Sequence, residues 1–120
     1  RPEGKRCLVI SSKGKTISYL ESGQILHYFR SILPGGGLSN RQGSSTILDC
    51  IYSPINKTYY IIDVMNWNEM SLYECDTEFR FYWIQTKYSE TAGLGTPPIQ
   101  QSYPFQLVPY WECSYENILE

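Results

Sequence analysis

Short apolar runs separated by polar turn clusters set the pattern of this chain, and each run has the length of a strand. Lys5 to Ser12 carries an apolar centre, Cys7-Leu8-Val9-Ile10, and predicts a first strand. Lys13-Gly14-Lys15 is a turn signal, because glycine reaches positive φ without steric cost. Thr16 to Glu21 predicts a second strand, Ser22-Gly23 a second turn, and Gln24 to Phe29 a third strand. Leu33-Pro34-Gly35-Gly36-Gly37 opens a loop extending to Ser45, whose Gly, Ser and Asn content predicts mobility. In the middle of the chain, Thr46 to Tyr52 and Thr58 to Trp67 are nearly continuously apolar, with one acid each, Asp49 and Asp63. Joined across Ser53-Pro54-Ile55-Asn56, they predict a β-hairpin buried on both faces.

The period then changes. Asp76-Thr77-Glu78 has the composition of a helix start: Asp76 can cap the first free amides, and acids suit the positive end of the helix. Phe79, Tyr82, Trp83 and Thr86 recur at helical spacing, predicting an amphipathic helix over Phe79 to Tyr88 with Trp83 in the core. Gly93 to Pro98 breaks it, Phe105 to Val108 predicts a short strand, and Ser114 precedes a last helical start. Trp67, between Asn66 and Asn68, predicts a rim position. The fold class expected is α+β, dominated by antiparallel strands.

Composition narrows the function. With 120 residues, 42% hydrophobic and 15% aromatic, the chain can fill one modest core, which excludes wholesale disorder. No apolar run approaches the roughly 18 residues that a spanning helix needs. The net charge of −2 conceals a split. Residues 1–41 hold seven basic and two acidic side chains, a balance of +5; residues 42–120 hold three basic and ten acidic ones, a balance of −7. A generally basic nucleic-acid binder is therefore not expected, but a local anion site in the first third is. Cys7, Cys50, Cys75 and Cys113 form no CxxC pair and have only His27 as a further candidate ligand, which argues against a zinc site. They could form two disulfides, but they are widely spread and Cys7 and Cys50 sit in apolar strand-like runs, so buried reduced thiols fit better. No cofactor is expected.

Arg1-Pro2-Glu3-Gly4-Lys5-Arg6 leads into the first strand and resembles the K-x-D-G-x-R motif of the covalent nucleotidyltransferases, the nucleic-acid ligases and capping enzymes. Thr46-Ile47-Leu48-Asp49-Cys50-Ile51 resembles their L-D-G-E strand, and Tyr59-Tyr60-Ile61-Ile62-Asp63-Val64 their next strand motif, in the same order. The departures argue against that chemistry. Arg1 stands where the family has its nucleophilic lysine, and a guanidinium is never deprotonated. Ile51 stands where it has a metal-binding Glu, and a hydrocarbon binds no divalent ion. Asp49 and Asp63 read accordingly as satisfied structural acids.

A closer resemblance covers nearly the whole chain. Gly4-Lys5-Arg6, Leu33-Pro34-Gly35-Gly36, Thr46 to Tyr52, Thr58-Tyr59-Tyr60, Asp63-Val64-Met65, Phe79-Arg80-Phe81-Tyr82-Trp83 and Gly93-Leu94-Gly95 resemble the cap-binding domain of the snurportin family. That resemblance implies a nucleotidyltransferase-like antiparallel-sheet domain, of which residues 1–120 form the N-terminal part. It implies non-catalytic binding of the 2,2,7-trimethylguanosine cap of U snRNA, in an adaptor that carries U snRNPs into the nucleus. Importin β (through a segment outside this sequence) and an export receptor are the implied partners, with shuttling between nucleus and cytoplasm and no membrane role. Carried over by position, Gly4, Lys5 and Arg6 are the cap-binding residues, with Lys5 and Arg6 assigned to the phosphate bridge. Where the family places a cap-contacting lysine before a Ser-Gly pair, this chain has Glu21 before Ser22-Gly23, so Lys13 and Lys15 are the candidate replacement phosphate contacts. Two alternatives stand beside this reading: a divergent guanylyl- or adenylyltransferase fragment, and an interaction module whose cap pocket has degenerated.

Overall fold

Alternation of exposed and buried side chains carries the first strand, β1 (Lys5–Ser12), in which Cys7, Val9 and Ser11 turn inward while Arg6 and Leu8 turn outward. The structure, a computed structural model, describes residues 4–38, 45–91 and 103–108. Arg1, Glu3, the Gly93–Pro98 break, Trp111, Cys113 and the predicted helical start at Ser114 lie outside them. β1 pairs antiparallel with β2 (Lys15–Leu20) through a two-residue turn, Lys13-Gly14, with both residues at positive φ (55° and 82°). That is the type I′ geometry whose twist matches a hairpin. β2 continues to β3 (Ile25–Phe29) around Gly23, at φ 92°.

β4 (Ser45–Ser53) returns along the other side of β1, and β5 (Thr58–Trp67) forms the predicted hairpin with it. The short β6 (Met70–Ser71) pairs antiparallel with the far end of β5, and β7 (Phe105–Leu107) pairs parallel with its near end, Tyr59 to Ile61. The sheet order is β3-β2-β1-β4-β5-β6, with β7 also on β5. One helix, α1 (Thr77–Glu90), is present among the described residues and packs against β5. This is a sheet-dominated domain.

One face of the sheet holds the core: Cys7, Val9, Leu48, Cys50, Tyr59, Ile61, Val64 and Phe105 with Leu72 and Ile84. The other face is half-covered, so the two-sided burial expected for β4 and β5 is only partly present: Asp49 and Asp63 lie on this outer face with Arg6. Two register shifts explain how β5 hides its apolar residues and still presents Asp63 outward. Ile61 opposes Cys50 and Asp63 opposes Asp49, so one residue is skipped; Val64 opposes Leu48 and Asn66 opposes Ile47, so another is. Each bulge flips the inside-outside phase. The first moves Asp63 away from the core; the second returns Trp67 to it. Trp67 is 5% exposed and not on the rim.

Two further expectations change. The helix runs Thr77–Glu90 and Asp76 caps it, accepting from the Phe79 amide at 2.8 Å. However, its buried face is Phe81 and Ile84, while Phe79 and Tyr82 are 49% and 66% exposed. The helix carries two overlapping apolar series, and contact with β5 selects the one that spacing alone did not. Trp83 is half-buried against the core with Lys87 over its ring at 4.9 Å. The Gly-rich segment, as far as Leu38, is an ordered turn rather than a mobile loop. Leu33, Pro34, Gly35 and Gly36 are buried. Four buried hydroxyls explain it. Thr16 Oγ1 lies 2.9 Å from Ser11 Oγ and 2.7 Å from Ser31 Oγ, and Thr46 Oγ1 donates to the Pro34 carbonyl at 3.0 Å. The Gly14 amide donates to the Gly35 carbonyl at 3.0 Å, which pins this turn to the β1–β2 turn.

Candidate functional site

Gly4, Lys5 and Arg6 open β1 against the end of β4. A Cβ at Gly4 would run into the Tyr52 carbonyl, so glycine is required there for close strand approach. Lys5 and Arg6 are consecutive on a strand and point to opposite faces. Lys5 is exposed and stands opposite Tyr52 on the core side of the sheet end; Arg6 lies on the outer face. The two cations therefore do not clamp a ligand from one face. They can share one only if it crosses the start of the strand.

Arg6 is committed on one edge. Its Nε donates to Asp49 Oδ1 at 3.0 Å and Nη2 to Asp49 Oδ2 at 2.6 Å, a bidentate pair that holds the guanidinium above the usual arginine range. Glu21 and Asp63 add to the negative field around it. Asp63 is matched in turn by Arg80 of α1, whose Nε donates at 2.8 Å to Oδ1 and Nη2 at 3.1 Å to Oδ2. Arg80 also donates to the Cys75 carbonyl. Two aspartates directly opposite on adjacent strands repel, and the outer face resolves this as a row, Arg6–Asp49–Asp63–Arg80. Asp49 and Asp63 are thus satisfied structural acids, as their place on apolar strands led us to expect. The Arg6 side chain is 55% exposed, and among the described residues its Nη1 edge has no acceptor.

Lys13 and Lys15 are elsewhere. They occupy the opposite end of the β1–β2 hairpin, with Ser12 pairing Lys15. Seven strand steps separate Lys5 from Ser12, about 23 Å at the rise of a β-strand. That is far longer than three linked phosphates, so one phosphate bridge does not span Lys5 and these two lysines. Glu21 itself follows β2 and flanks Arg6, so the phosphate-repelling position and the phosphate-binding candidate are neighbours.

On the core side lies a polar circuit that sequence reading did not find. The His27 amide donates to Ser18 Oγ at 3.0 Å, Ser18 Oγ lies 2.7 Å from Tyr59 Oη, and Tyr59 Oη lies 2.5 Å from His27 Nδ1. With neutral imidazole the donors run in one direction and close the loop: Ser18 O–H to Tyr59, Tyr59 O–H to His27. The Tyr103 ring stacks on His27 at 4.3 Å, and Tyr52 meets it edge-on at 4.7 Å. Desolvation lowers the His27 pKa and raises that of Tyr59. Burial pushes the Cys7 thiol up to about 12, and that of its cross-strand neighbour Cys50 well up, so neither serves as a nucleophile. Cys7, Cys50 and Cys75 are free thiols. Among the described residues no three His, Cys, Asp or Glu side chains are grouped to hold a metal ion.

These features describe a small sheet-dominated domain with cations at both ends of its β1–β2 hairpin and buried thiols in its core. The chain belongs to the family of the snurportin1 m3G cap-binding domain, whose family model matches residues 1–120.

Proposed function

We propose that this chain binds the 2,2,7-trimethylguanosine cap of U snRNA without catalysis, as part of an adaptor for nuclear import of U snRNPs. The observation that carries the reading is the family match over all 120 residues. In this reading the protein shuttles between cytoplasm and nucleus, and importin β and an export receptor act through other surfaces. The sheet is a nucleotidyltransferase-like scaffold. Ile51, 5% exposed, supports the absence of catalysis, because it puts hydrocarbon where related enzymes need a metal-binding carboxylate. Cap recognition has a simple physical basis: N7 methylation makes the guanine cationic and suits it to an aromatic face, and the phosphate bridge requires cations. Lys5 and the exposed guanidinium of Arg6 supply that charge at the start of β1, with Gly4 keeping the strand end low.

Isothermal titration of the intact protein with trimethylated, monomethylated and unmethylated cap dinucleotides tests this. Tightest binding of the trimethylated form is expected, and a Lys5→Ala/Arg6→Ala double variant weakens it and flattens its salt dependence. Absence of binding to any cap dinucleotide, or a covalent enzyme–nucleotide adduct, overturns the reading.

A further inference from the structure

Lys13 and Lys15 remain to be explained, since the fold places them away from the start of β1. What surrounds them is not ordinary surface. Phe29 pairs with Thr16, so Arg30, the next residue, stands beside Lys15 where β2 and β3 meet the turns. Like charges at adjacent cross-strand positions repel. Among the described residues none of Lys13, Lys15 and Arg30 is paired with an acid. From residue 4 to residue 48 the sequence contains a single acid, Glu21, and that lies at the other end of the hairpin. The nearest acid in strand order at this end, Glu69, follows β5, three strands from Lys15 and about 14 Å away at the usual strand spacing.

The cluster is also built. The Arg30 Nη2 donates to the Gly37 carbonyl at 2.8 Å, and Gly37, at φ 105°, packs so closely on the Gly14 carbonyl that no side chain fits. The buried hydroxyls of Ser11, Thr16, Ser31 and Thr46 hold that turn in place, so Arg30 is fixed rather than free to swing. Beside it, Tyr28 points out of the outer sheet face, 64% exposed, with the Lys15 ammonium 6.0 Å from its ring centre. An exposed aromatic ring on the outer sheet face, rimmed by three cations that no acid among the described residues compensates, is the arrangement that takes single-stranded nucleic acid: bases stack and phosphates meet the cations.

We propose that Lys13, Lys15, Arg30 and Tyr28 form a second RNA contact, which holds the nucleotides that follow the cap. This rests on the cap-binding reading for its polarity. The cap end lies at Arg6, and the RNA chain crosses the outer face of β1 and β2 toward Tyr28. The occupant is RNA because a ring rimmed by cations matches the alternation of base and phosphate along a single strand.

The test compares three ligands on the intact protein by titration calorimetry: a trimethyl cap dinucleotide, a capped decanucleotide and the same decanucleotide without its cap. The parent binds the capped decanucleotide about tenfold more tightly than the dinucleotide, with a steeper salt dependence. Lys13→Gln/Lys15→Gln and Tyr28→Ala each remove most of that gain, leave the dinucleotide affinity unchanged, and weaken the uncapped strand. If the dinucleotide does not bind but the uncapped strand does so through these residues, the cap reading fails and this one stands. Equal affinity for both capped ligands overturns the proposal. So does equal weakening of the dinucleotide by the lysine variant, and so does binding of polyglutamate at this face in place of the oligonucleotide, which would assign it to an acidic protein.

Discussion

Protonation of His27 would break a closed circuit. Its Nδ1 accepts from Tyr59, which accepts from Ser18, which accepts from the His27 amide; an added proton at Nδ1 leaves Tyr59 with two donors pointed at it and its own hydrogen unplaced. Desolvation lowers the imidazole pKa as well. The folded state therefore binds that proton less readily than the unfolded chain. Stability is fully present above the ordinary histidine range near 6.5 and falls as pH drops through it. Urea unfolding midpoints are expected to fall between pH 7.5 and 5.5 in the parent and to stay flat there in His27→Gln; a flat parent profile removes the circuit from the account. A second residue-scale prediction separates steric from conformational cost. Gly36 has no positive φ, yet an added Cβ would strike Ser31 and Thr16, so Gly36→Ala costs roughly 1–3 kcal/mol. Gly23 stands in open space at φ 92°, so Gly23→Ala costs only backbone strain, about 1 kcal/mol. Chemical denaturation orders the two, and a reversed order refutes the buried-turn explanation.

At the scale of elements, the helix shows what local sequence decides and what packing decides. Asp76→Ala removes the acceptor at 2.8 Å from the Phe79 amide and is expected to cost about 1 kcal/mol, with fraying of the first turn visible in amide exchange. An unchanged exchange pattern in that turn would deny the cap its role. The cap was legible because it needs only a residue type at a helix start. The buried face was not, because Phe79-Tyr82-Trp83 and Phe81-Ile84 are both apolar series and only the neighbouring strand distinguishes them. The strands divide in the same way. β1 and β5 follow the boundaries read from their apolar runs, since run length alone marks them. The bulges that turn Asp63 outward and Trp67 inward depend on the partner strand and leave no trace in β5 itself. The turn at Leu33 to Gly37 read as loose because its glycines dominate the composition. Its order comes from hydroxyls on β1, β2 and β4 and at Ser31, polar by type yet fully buried. Within the candidate site, the charges of Lys5, Arg6, Lys13 and Lys15 were visible, but their placement followed from the hairpin. Arg30 and Tyr28 joined the picture only when β3 aligned with β2.

At the scale of the whole molecule, the fold converts a charge split along the sequence into a split in space. Among the described residues, the basic first third builds β1 to β3, on one side of the sheet, and the acid-rich remainder builds β5 and α1, on the other. The protein is net negative, yet it presents a positive half to a ligand, because exposed charges beyond a Debye length of about 8 Å are largely screened. Placement should then outweigh the total. Glu21→Gln removes one negative charge beside Arg6 and is expected to tighten cap binding several-fold at low salt, an advantage that shrinks as salt rises. Glu74→Gln/Glu78→Gln removes two, but these exposed residues precede and begin α1, on the far side of β5 from β1, and the affinity should barely move. Titrating cap dinucleotide into the three proteins at two ionic strengths decides the matter. If the double variant gains as much as Glu21→Gln, the net charge of the molecule governs binding and the polarity of the sheet does not. If Glu21→Gln alone gains, the acid beside the strand start is a brake on phosphate affinity, set against Arg6 by the same hairpin that brings them together.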